Sequence, residues 1–232
     1  WRTHWSWVPE VDWLIVDEIH LLGDDNRGSR LEGTISRFRR LNPFCRILGL
    51  SATLGNREQL ADWLEGVELE SDWRPVPLEW KVVRYRKPEE KPELLAGELD
   101  RIHRDGGQSL VFVQSRRRSE QVASWLREQG LDAKHHHAGL GHDQRRKVER
   151  TFREKSTRIL VATATLEMGL NLPARQVVLY DMQGFDGTGF EPLPVNTVWQ
   201  RAGRAGRPGL DPEGEAVLMA PTWDRVADQY PR

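Results

Sequence analysis

The sequence predicts an α/β protein with parallel sheets flanked by helices, arranged in two successive units. Six apolar runs of four residues have the length and unbroken hydrophobicity of strands that are covered on both faces. The runs are residues 13–16, 47–50, 110–113, 159–162, 177–180 and 216–219. Helical patterns lie between several of these runs, as the crossover connections of parallel strands require.

Two helices can be placed from their apolar faces. One follows Ser115 and has Gly130 as its stop signal, and the other is very basic. The apolar faces are formed by Val122, Trp125 and Leu126 in the first helix and by Val148 and Phe152 in the second.

Prolines divide the chain near residue 76. Residues 74–77 read Arg-Pro-Val-Pro, a pattern that stops regular structure and stiffens a connection. We therefore predict an incomplete first unit at residues 1–76 and a larger second unit at residues 77–232. Residues 87–92, which are polar and contain two prolines, are predicted to form a loop in the second unit.

Composition narrows the class of protein. With 38% hydrophobic residues, 30% charged residues and a net charge of −1, any nucleic-acid site must be a local patch. No apolar run reaches membrane-spanning length, and no signal peptide is visible. The single cysteine, Cys45, excludes an internal disulfide and indicates a reducing compartment, the prokaryotic cytoplasm or a eukaryotic nucleus. We expect Cys45 to lie in the core, and we expect a chain that begins with Trp1 to be cut from a longer protein.

Two adjacent carboxylates, Asp17 and Glu18, follow the first apolar run. Open parallel sheets bind ligands beyond the carboxyl ends of their strands. There Asp17 suits Mg²⁺, which keeps much of its water shell, and Glu18 suits a base that deprotonates an attacking water. Capping of the following helix is the alternative interpretation.

Small hydroxyl residues follow the second run, in the segment Leu-Ser-Ala-Thr at residues 50–53. Ser51 and Thr53 can form hydrogen bonds to a neighbouring loop, or they can serve only as turn or cap residues. A nucleophile elbow is excluded because the fifth position of G-x-S-x-G is Thr53 rather than Gly.

A basic segment, residues 112–118, passes from the third run into a helix. Ser115, Arg116 and the backbone N–H groups of the first turn can grip phosphates. A solvated basic turn is the alternative, although cations at a helix N-terminus oppose its dipole and so favour an anionic partner.

Three consecutive histidines occupy positions 135–137. Adjacent residues of a strand point to alternating faces, and no supporting Cys or His spacing is present, so the pattern does not favour zinc.

A polar segment at residues 163–173 follows the fourth run. Thr163 and Thr165 are placed to contact phosphate, and Gly169 and Asn171 to approach a ribose. The alternative is an ordinary passage from strand to loop.

The last motif is Gln-Arg-Ala-Gly-Arg-Ala-Gly-Arg at residues 200–207, after Asn196 as a predicted helix N-cap. Gln200, Gly203, Arg204 and Arg207 are spaced to share one helical face. Arginines there can neutralise the charge on a transferring phosphoryl group, a contribution of roughly 10³–10⁵ in rate. A solvated helix is a poor alternative because two glycines weaken it.

In this order, the segments resemble the motifs of the superfamily 2 DExH-box helicases over nearly the whole chain. Residues 17–20 resemble motif II, residues 51–53 motif III, residues 111–116 motif IV, residues 163–173 motif V and residues 200–207 motif VI. Gly-Leu-Asn-Leu-Pro-Ala at 169–174 and Phe-Asp-Gly at 185–187 are similar to the superkiller-like branch. That branch includes archaeal DNA repair helicases and RNA-unwinding exosome cofactors.

The resemblance implies two RecA-like domains, the first one incomplete, with ATP bound in the cleft between them. It implies Mg²⁺ at Asp17 and catalysis by Glu18. The residues implied to couple hydrolysis to movement are His20, Ser51 and Thr53. Those implied to lie near the nucleotide are Gly169, Asn171, Gln200, Arg204 and Arg207. Asn171 stands where the family often has an acid, which weakens the expectation of a ribose contact.

The implied partner is single-stranded or partly duplex nucleic acid, DNA more than RNA, with movement from 3′ to 5′. Its backbone is expected at Ser115, Arg116, Thr163 and Thr165. An RNA helicase of the same branch is the alternative.

The chain departs from the family pattern in one respect: it contains no G-x-x-x-x-G-K-[ST] phosphate loop. In the family this loop precedes motif II, so we expect it before Trp1. The 232 residues alone are therefore expected to be a non-catalytic fragment that at most binds nucleic acid. A nucleotide-sensing scaffold that never unwinds is disfavoured because motifs II and VI are intact.

Overall fold

A computed structural model describes residues 6–23, 27–51, 57–71, 73–163, 172–185 and 189–230 of the chain. The fold is α/β, as predicted. The chain divides into two compact units, Trp1–Asp72 and Trp73–Arg232.

The described part of unit 1 is a small sheet with helices. Strands β1 and β2 pair in parallel, with Val16 opposite Gly49. The elements are β1 (Trp13–Val16), α1 (Gly28–Leu41), β2 (Arg46–Gly49) and α2 (Arg57–Leu64), with 3-10 turns at Val8–Glu10 and Ile19–Gly23.

Only one face of the β1–β2 sheet is covered by the described residues. Val16 is buried in a small core with Ile19 and Ile35, whereas Trp13 and Ile15 on the opposite face are 52% and 60% exposed. The prediction that this strand is covered on both faces is therefore wrong, because the described helices of unit 1 pack against one side. Cys45, predicted in the core, is only partly buried for the same reason.

Unit 2 is built on a six-stranded parallel sheet in the order β3-β10-β7-β4-β6-β5. Its strands are β3 (Leu78–Tyr85), β4 (Ser109–Phe112), β5 (Ala133–His136), β6 (Ile159–Ala162), β7 (Gln176–Leu179) and β10 (Gly214–Pro221). An antiparallel hairpin of β8 (Gln183–Phe185) and β9 (Phe190–Pro192) follows β7.

The helices of unit 2 connect these strands. They are α3 (Lys91–Arg104), α4 (Arg116–Glu128), α5 (His142–Arg153) and α6 (Val195–Ala202). Within the described ranges, no helix combines the length and apolar character needed to cross a membrane.

Both faces of the unit 2 sheet are buried. Leu110 and Phe112 belong to the core on one face, and Val111 and Val113 to the core on the other. The alternation along β4 thus divides one apolar run between two cores, which confirms the prediction of strands covered on both faces for this unit.

Three predictions about elements of unit 2 need correction. Residues 87–92 are not wholly a loop, because α3 begins at Lys91 with Pro92 in its first turn, where a missing N–H costs nothing. Strand β3 was not predicted, since its apolar residues alternate with charged ones. Helix α6 begins at Val195 with Pro194 in the N-cap position, so Asn196 is not the cap.

Candidate nucleotide and nucleic-acid sites

The two carboxylates predicted to act on a nucleotide are exposed at the carboxyl end of β1. Glu18 has a φ of 52°, in the left-handed region. Its N–H donates to Asp17 Oδ1 over 2.9 Å. A left-handed backbone costs a residue with a side chain about 1–3 kcal/mol and is often found at functional sites. The fold therefore holds Glu18 in a backbone conformation that glutamate disfavours.

His20 links this acidic turn to the end of β2. Its Nδ1 lies 3.1 Å from Glu18 Oε2 and 3.2 Å from Ser51 Oγ. The backbone brings the two strand ends together, because the Ile19 N–H donates to the Leu50 carbonyl over 2.9 Å.

A glycine makes this close approach possible. A Cβ on Gly49 would lie 2.7 Å from Ile19 Cδ1. The structure therefore places Asp17, Glu18, His20 and Ser51 within one turn of the two strand ends, while Thr53 lies outside the described residues.

The donor set of this turn fits the implied metal. Exposed carboxylate oxygens are the ligands that Mg²⁺ prefers, together with water and substrate phosphates. Asp17 is the nearer to the strand end, and Glu18 is the one linked to His20, so the two carboxylates differ in surroundings. Such a difference suits one metal ligand and one base.

Ser115 is the N-cap of α4, and its Oγ accepts a hydrogen bond from the Arg118 N–H over 3.2 Å. Arg116 lies exposed in the first turn of the same helix. The hydroxyl thus has a capping role that was not predicted, and the helix start still presents N–H groups and a cation to solvent.

Thr163 follows β6, the neighbour of β4 in the sheet. The ends of the two strands therefore lie side by side, which brings Thr163 and Ser115 to the same edge. Thr163 is only 7% exposed, and its N–H donates to the His136 carbonyl over 3.3 Å. Thr165, Gly169 and Asn171 lie outside the described residues.

The consecutive histidines bind both flanking helices. His136 Nε2 lies 2.9 Å from Glu149 of α5, and His137 Nε2 lies 2.9 Å from Glu120 of α4. His136 ends β5 and His137 follows it, so the end of this strand is held by side-chain contacts to both α5 and α4.

A possible metal cluster is formed by Glu120, His135 and His137, whose ligand atoms lie within 4.8 Å of one another. However, His137 Nδ1 accepts the Gly139 N–H over 3.1 Å. This assigns the ring proton to Nε2, which then donates to Glu120 and offers no lone pair to a metal. Hydrogen bonding therefore accounts for the contact between His137 and Glu120 in this cluster.

The last motif does not form one helical face. Helix α6 ends at Ala202, and the chain then turns through Gly203 and Gly206, the latter with a φ of 89°. Gln200 is therefore in the last helical turn, whereas Arg204 and Arg207 lie beyond it. The prediction of a shared face is wrong because the glycines end the helix instead of continuing it.

Arg207 is held inside unit 2. Its Nε and Nη2 each lie 2.7 Å from a carboxylate oxygen of Asp211, and its Nη1 donates to Gln108 Oε1 over 3.0 Å. Burial alone would raise the pKa of Asp211, but the hydrogen bonds and charge of Arg207 outweigh it and hold that pKa below its ordinary value. Gln200 and Arg204 are both partly exposed.

Two families of helicase domains match this chain. Residues 90–209 match the helicase conserved C-terminal domain, and residues 2–61 match the DEAD/DEAH box helicase domain. The chain belongs to the superfamily 2 helicases. The acidic turn lies within the match at residues 2–61, and Arg204 and Arg207 lie within the match at residues 90–209.

The chain is also similar to curated archaeal proteins named ATP-dependent DNA helicase Hel308. It is 35% identical to that of Methanocella arvoryzae over 98% of the chain and 37% of the relative. It is 38% identical to that of Caldivirga maquilingensis over 95% and 36%, and 36% identical to that of Pyrococcus horikoshii over 94% and 35%. The chain thus spans little more than a third of the length of these relatives.

Proposed function

We propose that the full-length protein is an ATP-driven DNA helicase and that this chain carries most of its motor core. The observation that carries the proposal is the acidic turn, where Glu18 is held in a left-handed conformation and joined through His20 to Ser51. The names of the archaeal relatives support DNA over RNA as the substrate.

The proposed chemistry divides among a few side chains. Asp17 would hold Mg²⁺, which when bound neutralises negative charge on the phosphates. Glu18 orients the attacking water and accepts its proton. Arg204 stabilises the negative charge that develops on the transferring phosphoryl group.

In this proposal, His20 is the residue that couples ATP hydrolysis to movement. Its Nδ1 lies within hydrogen-bond distance of both Glu18 and Ser51. A change in protonation or position of Glu18 therefore alters the hydrogen bond to the loop after β2. Gln200 and Arg207 flank Arg204 in sequence, and Arg207 contributes by fixing the backbone through Asp211.

Nucleic acid is proposed to bind through its phosphates at Ser115 and Arg116, with Thr163 and Thr165 beside them. Such contacts release counterions, so affinity falls steeply with salt. We propose 3′ to 5′ movement along one strand and a cytoplasmic location. The 232-residue chain alone, which contains no phosphate loop, is proposed to bind nucleic acid without hydrolysing ATP.

The test is ATP hydrolysis by the full-length protein with single-stranded DNA and with single-stranded RNA of the same sequence. Strong stimulation by DNA is the expected result. Stimulation by RNA alone would assign the protein to RNA unwinding, and stimulation by neither would refute a nucleic-acid motor. Steady magnesium-dependent ATP turnover by the 232-residue chain would refute the statement that it is non-catalytic.

A further inference from the structure

Arg74, which precedes β3, donates to three backbone carbonyls of unit 2. Its Nε donates to the Val76 carbonyl over 2.8 Å. Its Nη2 donates to the carbonyl of Gly203 over 3.1 Å and to that of Ala205 over 2.6 Å. Burial lowers the pKa of Arg74 below its ordinary value, but a guanidinium stays charged at neutral pH.

The two distant carbonyls belong to the residues on either side of Arg204. A single guanidinium therefore fixes the backbone before and after this arginine. The carbonyls at the C-terminal end of α6 are also the negative end of the helix dipole, which a cation stabilises. No motif marks Arg74 in the sequence, because its partners are main-chain atoms about 130 residues away.

Other contacts leave the Arg204 segment little freedom to move. The Ala174 N–H donates to the Arg204 carbonyl over 3.0 Å, and the Gly206 N–H donates to the Ala174 carbonyl over 2.7 Å. On the opposite side, a Cβ on Gly206 would lie 2.6 Å from Val76 Cγ1. Residues 203–206 are thus packed between the segment that precedes β3 and the segment that precedes β7.

We propose that Arg74 is a positioning residue for ATP hydrolysis and that it acts by holding Arg204 in place. This inference rests on the proposed role of Arg204 in the function above. A side chain that neutralises charge in a transition state must be held within a fraction of an ångström, and a 1 Å displacement costs up to about 100-fold in rate. Two of the three carbonyl contacts of Arg74 are made to the residues on either side of Arg204, so its guanidinium helps to fix the backbone that carries this arginine.

The experiment compares Arg74→Ala, Arg204→Ala and the double variant in the full-length protein, at saturating single-stranded DNA. Arg74→Ala is expected to lower kcat about 10- to 100-fold, with a much smaller change in the KM for ATP. The double variant is expected to be no slower than Arg204→Ala, because Arg74 acts only through Arg204. Added guanidinium ion is expected to restore part of the rate of Arg74→Ala and none of the rate of the double variant.

Arg84→Ala is the matched control. Arg84 also donates to backbone carbonyls of unit 2, those of Pro221 and Asp224, but at the other end of β3. It is expected to lower the melting temperature as much as Arg74→Ala does while leaving kcat unchanged. If Arg74→Ala does not fold, Arg74→Lys carries the comparison and is expected to show an intermediate rate that guanidinium ion does not raise.

The outcomes separate this inference from the proposed function. A full rate for Arg204→Ala would refute the role of Arg204 itself. A slow Arg204→Ala with a normal Arg74→Ala would overturn only the positioning role. Multiplicative losses in the double variant, or equal losses of kcat in Arg74→Ala and Arg84→Ala, would also overturn it.

Discussion

Strands β1 and β6 have equally apolar sequences and very different surroundings. All four residues of β6, Ile159–Ala162, are fully buried, whereas two of the four residues of β1, Trp13–Val16, are more than half exposed. β6 lies between β4 and β5 in a sheet covered on both faces, and β1 pairs with β2 in a sheet that the described residues cover on one. An apolar run shows what a strand can bury, and its neighbours decide how much of it is buried.

The residues predicted to be functional are also more exposed in unit 1 than in unit 2. In unit 1, Asp17 and Glu18 remain exposed, and Glu18 is held in a strained conformation. In unit 2, Ser115 caps a helix and Arg207 is bound to Asp211. Asp17 and Glu18 of unit 1 are therefore open to solvent, whereas Ser115 and Arg207 of unit 2 are used in hydrogen bonds within that unit.

The largest expected effect concerns the acidic turn. Glu18→Gln in the full-length protein removes the carboxylate proposed as the base and keeps the size of the side chain, so ATP hydrolysis is expected to fall by about 10²–10⁴-fold. ATP binding, measured by a fluorescent analogue, is expected to persist. Rapid hydrolysis by Glu18→Gln would contradict the assignment of Glu18 as the base. Glu65→Gln, at another exposed left-handed position of unit 1, is the control and should hydrolyse normally.

The next effect concerns the frame of unit 2. Asp211→Ala leaves the guanidinium of Arg207 buried without its carboxylate, which is expected to cost about 3–5 kcal/mol in the free energy of unfolding. Asp228→Ala removes the exposed partner of Arg84 and should cost about 1 kcal/mol or less. Urea unfolding of the chain measures both. Equal effects would mean that the Arg207–Asp211 pair is not buried as described.

The pH dependence of this pair has a definite sign. Because Arg207 holds the pKa of Asp211 below its ordinary value of 3.8, the pair stabilises the folded state above that pH. This stabilisation is lost as the pH falls through the lower pKa of the folded state. The stability difference between the unchanged chain and Asp211→Asn should therefore narrow in strong acid, and a constant difference would contradict the ion pair.

Local pattern predicted much of the fold. The six apolar runs all lie in or overlap strands, and the helix predicted between Ser115 and Gly130 is confirmed as α4. Strand β3 could not be found because its alternating charged residues hide its pairing with β10, a contact more than 130 residues away. The depth of burial of β1 and Cys45 could not be found either, because it depends on which elements cover the sheet.

The candidate sites were predictable to a similar extent. Asp17, Glu18 and Ser51 follow strand ends, and the geometry of parallel sheets brings such positions together. His20 was indicated only by the resemblance to the helicase family. The arrangement of Arg204 and Arg207 was predicted wrongly, because the helical spacing was extended across Gly203 and Gly206, whereas α6 ends at Ala202. Arg74 had no signal because it contacts backbone rather than side chains.

Truncation of one leucine in each unit tests the comparison of the two sheets directly. Leu160 and Leu14 occupy the second position of β6 and of β1, and they are fully and partly buried. Leu160→Ala is expected to cost about 2–5 kcal/mol because it leaves a cavity in a closed core. Leu14→Ala should cost clearly less, since its neighbours can relax toward solvent. Equal losses in urea unfolding would show that the sheet of unit 1 is as well covered as that of unit 2.

The smallest expected effect concerns left-handed residues that follow helices. Lys155, after α5, has a φ of 60° and is exposed, and Lys155→Gly should raise the free energy of unfolding by about 0.5–1 kcal/mol because glycine adopts this φ without strain. Glu65→Gly in unit 1 should stabilise less, because it also removes the carboxylate that Arg39 contacts over 2.6 Å. Gly130→Ala, at a φ of 82°, should act in the opposite direction by about 1 kcal/mol. Urea unfolding in which Lys155→Ala stabilised the chain as much as Lys155→Gly would show that loss of the lysine side chain, rather than relief of backbone strain, is responsible.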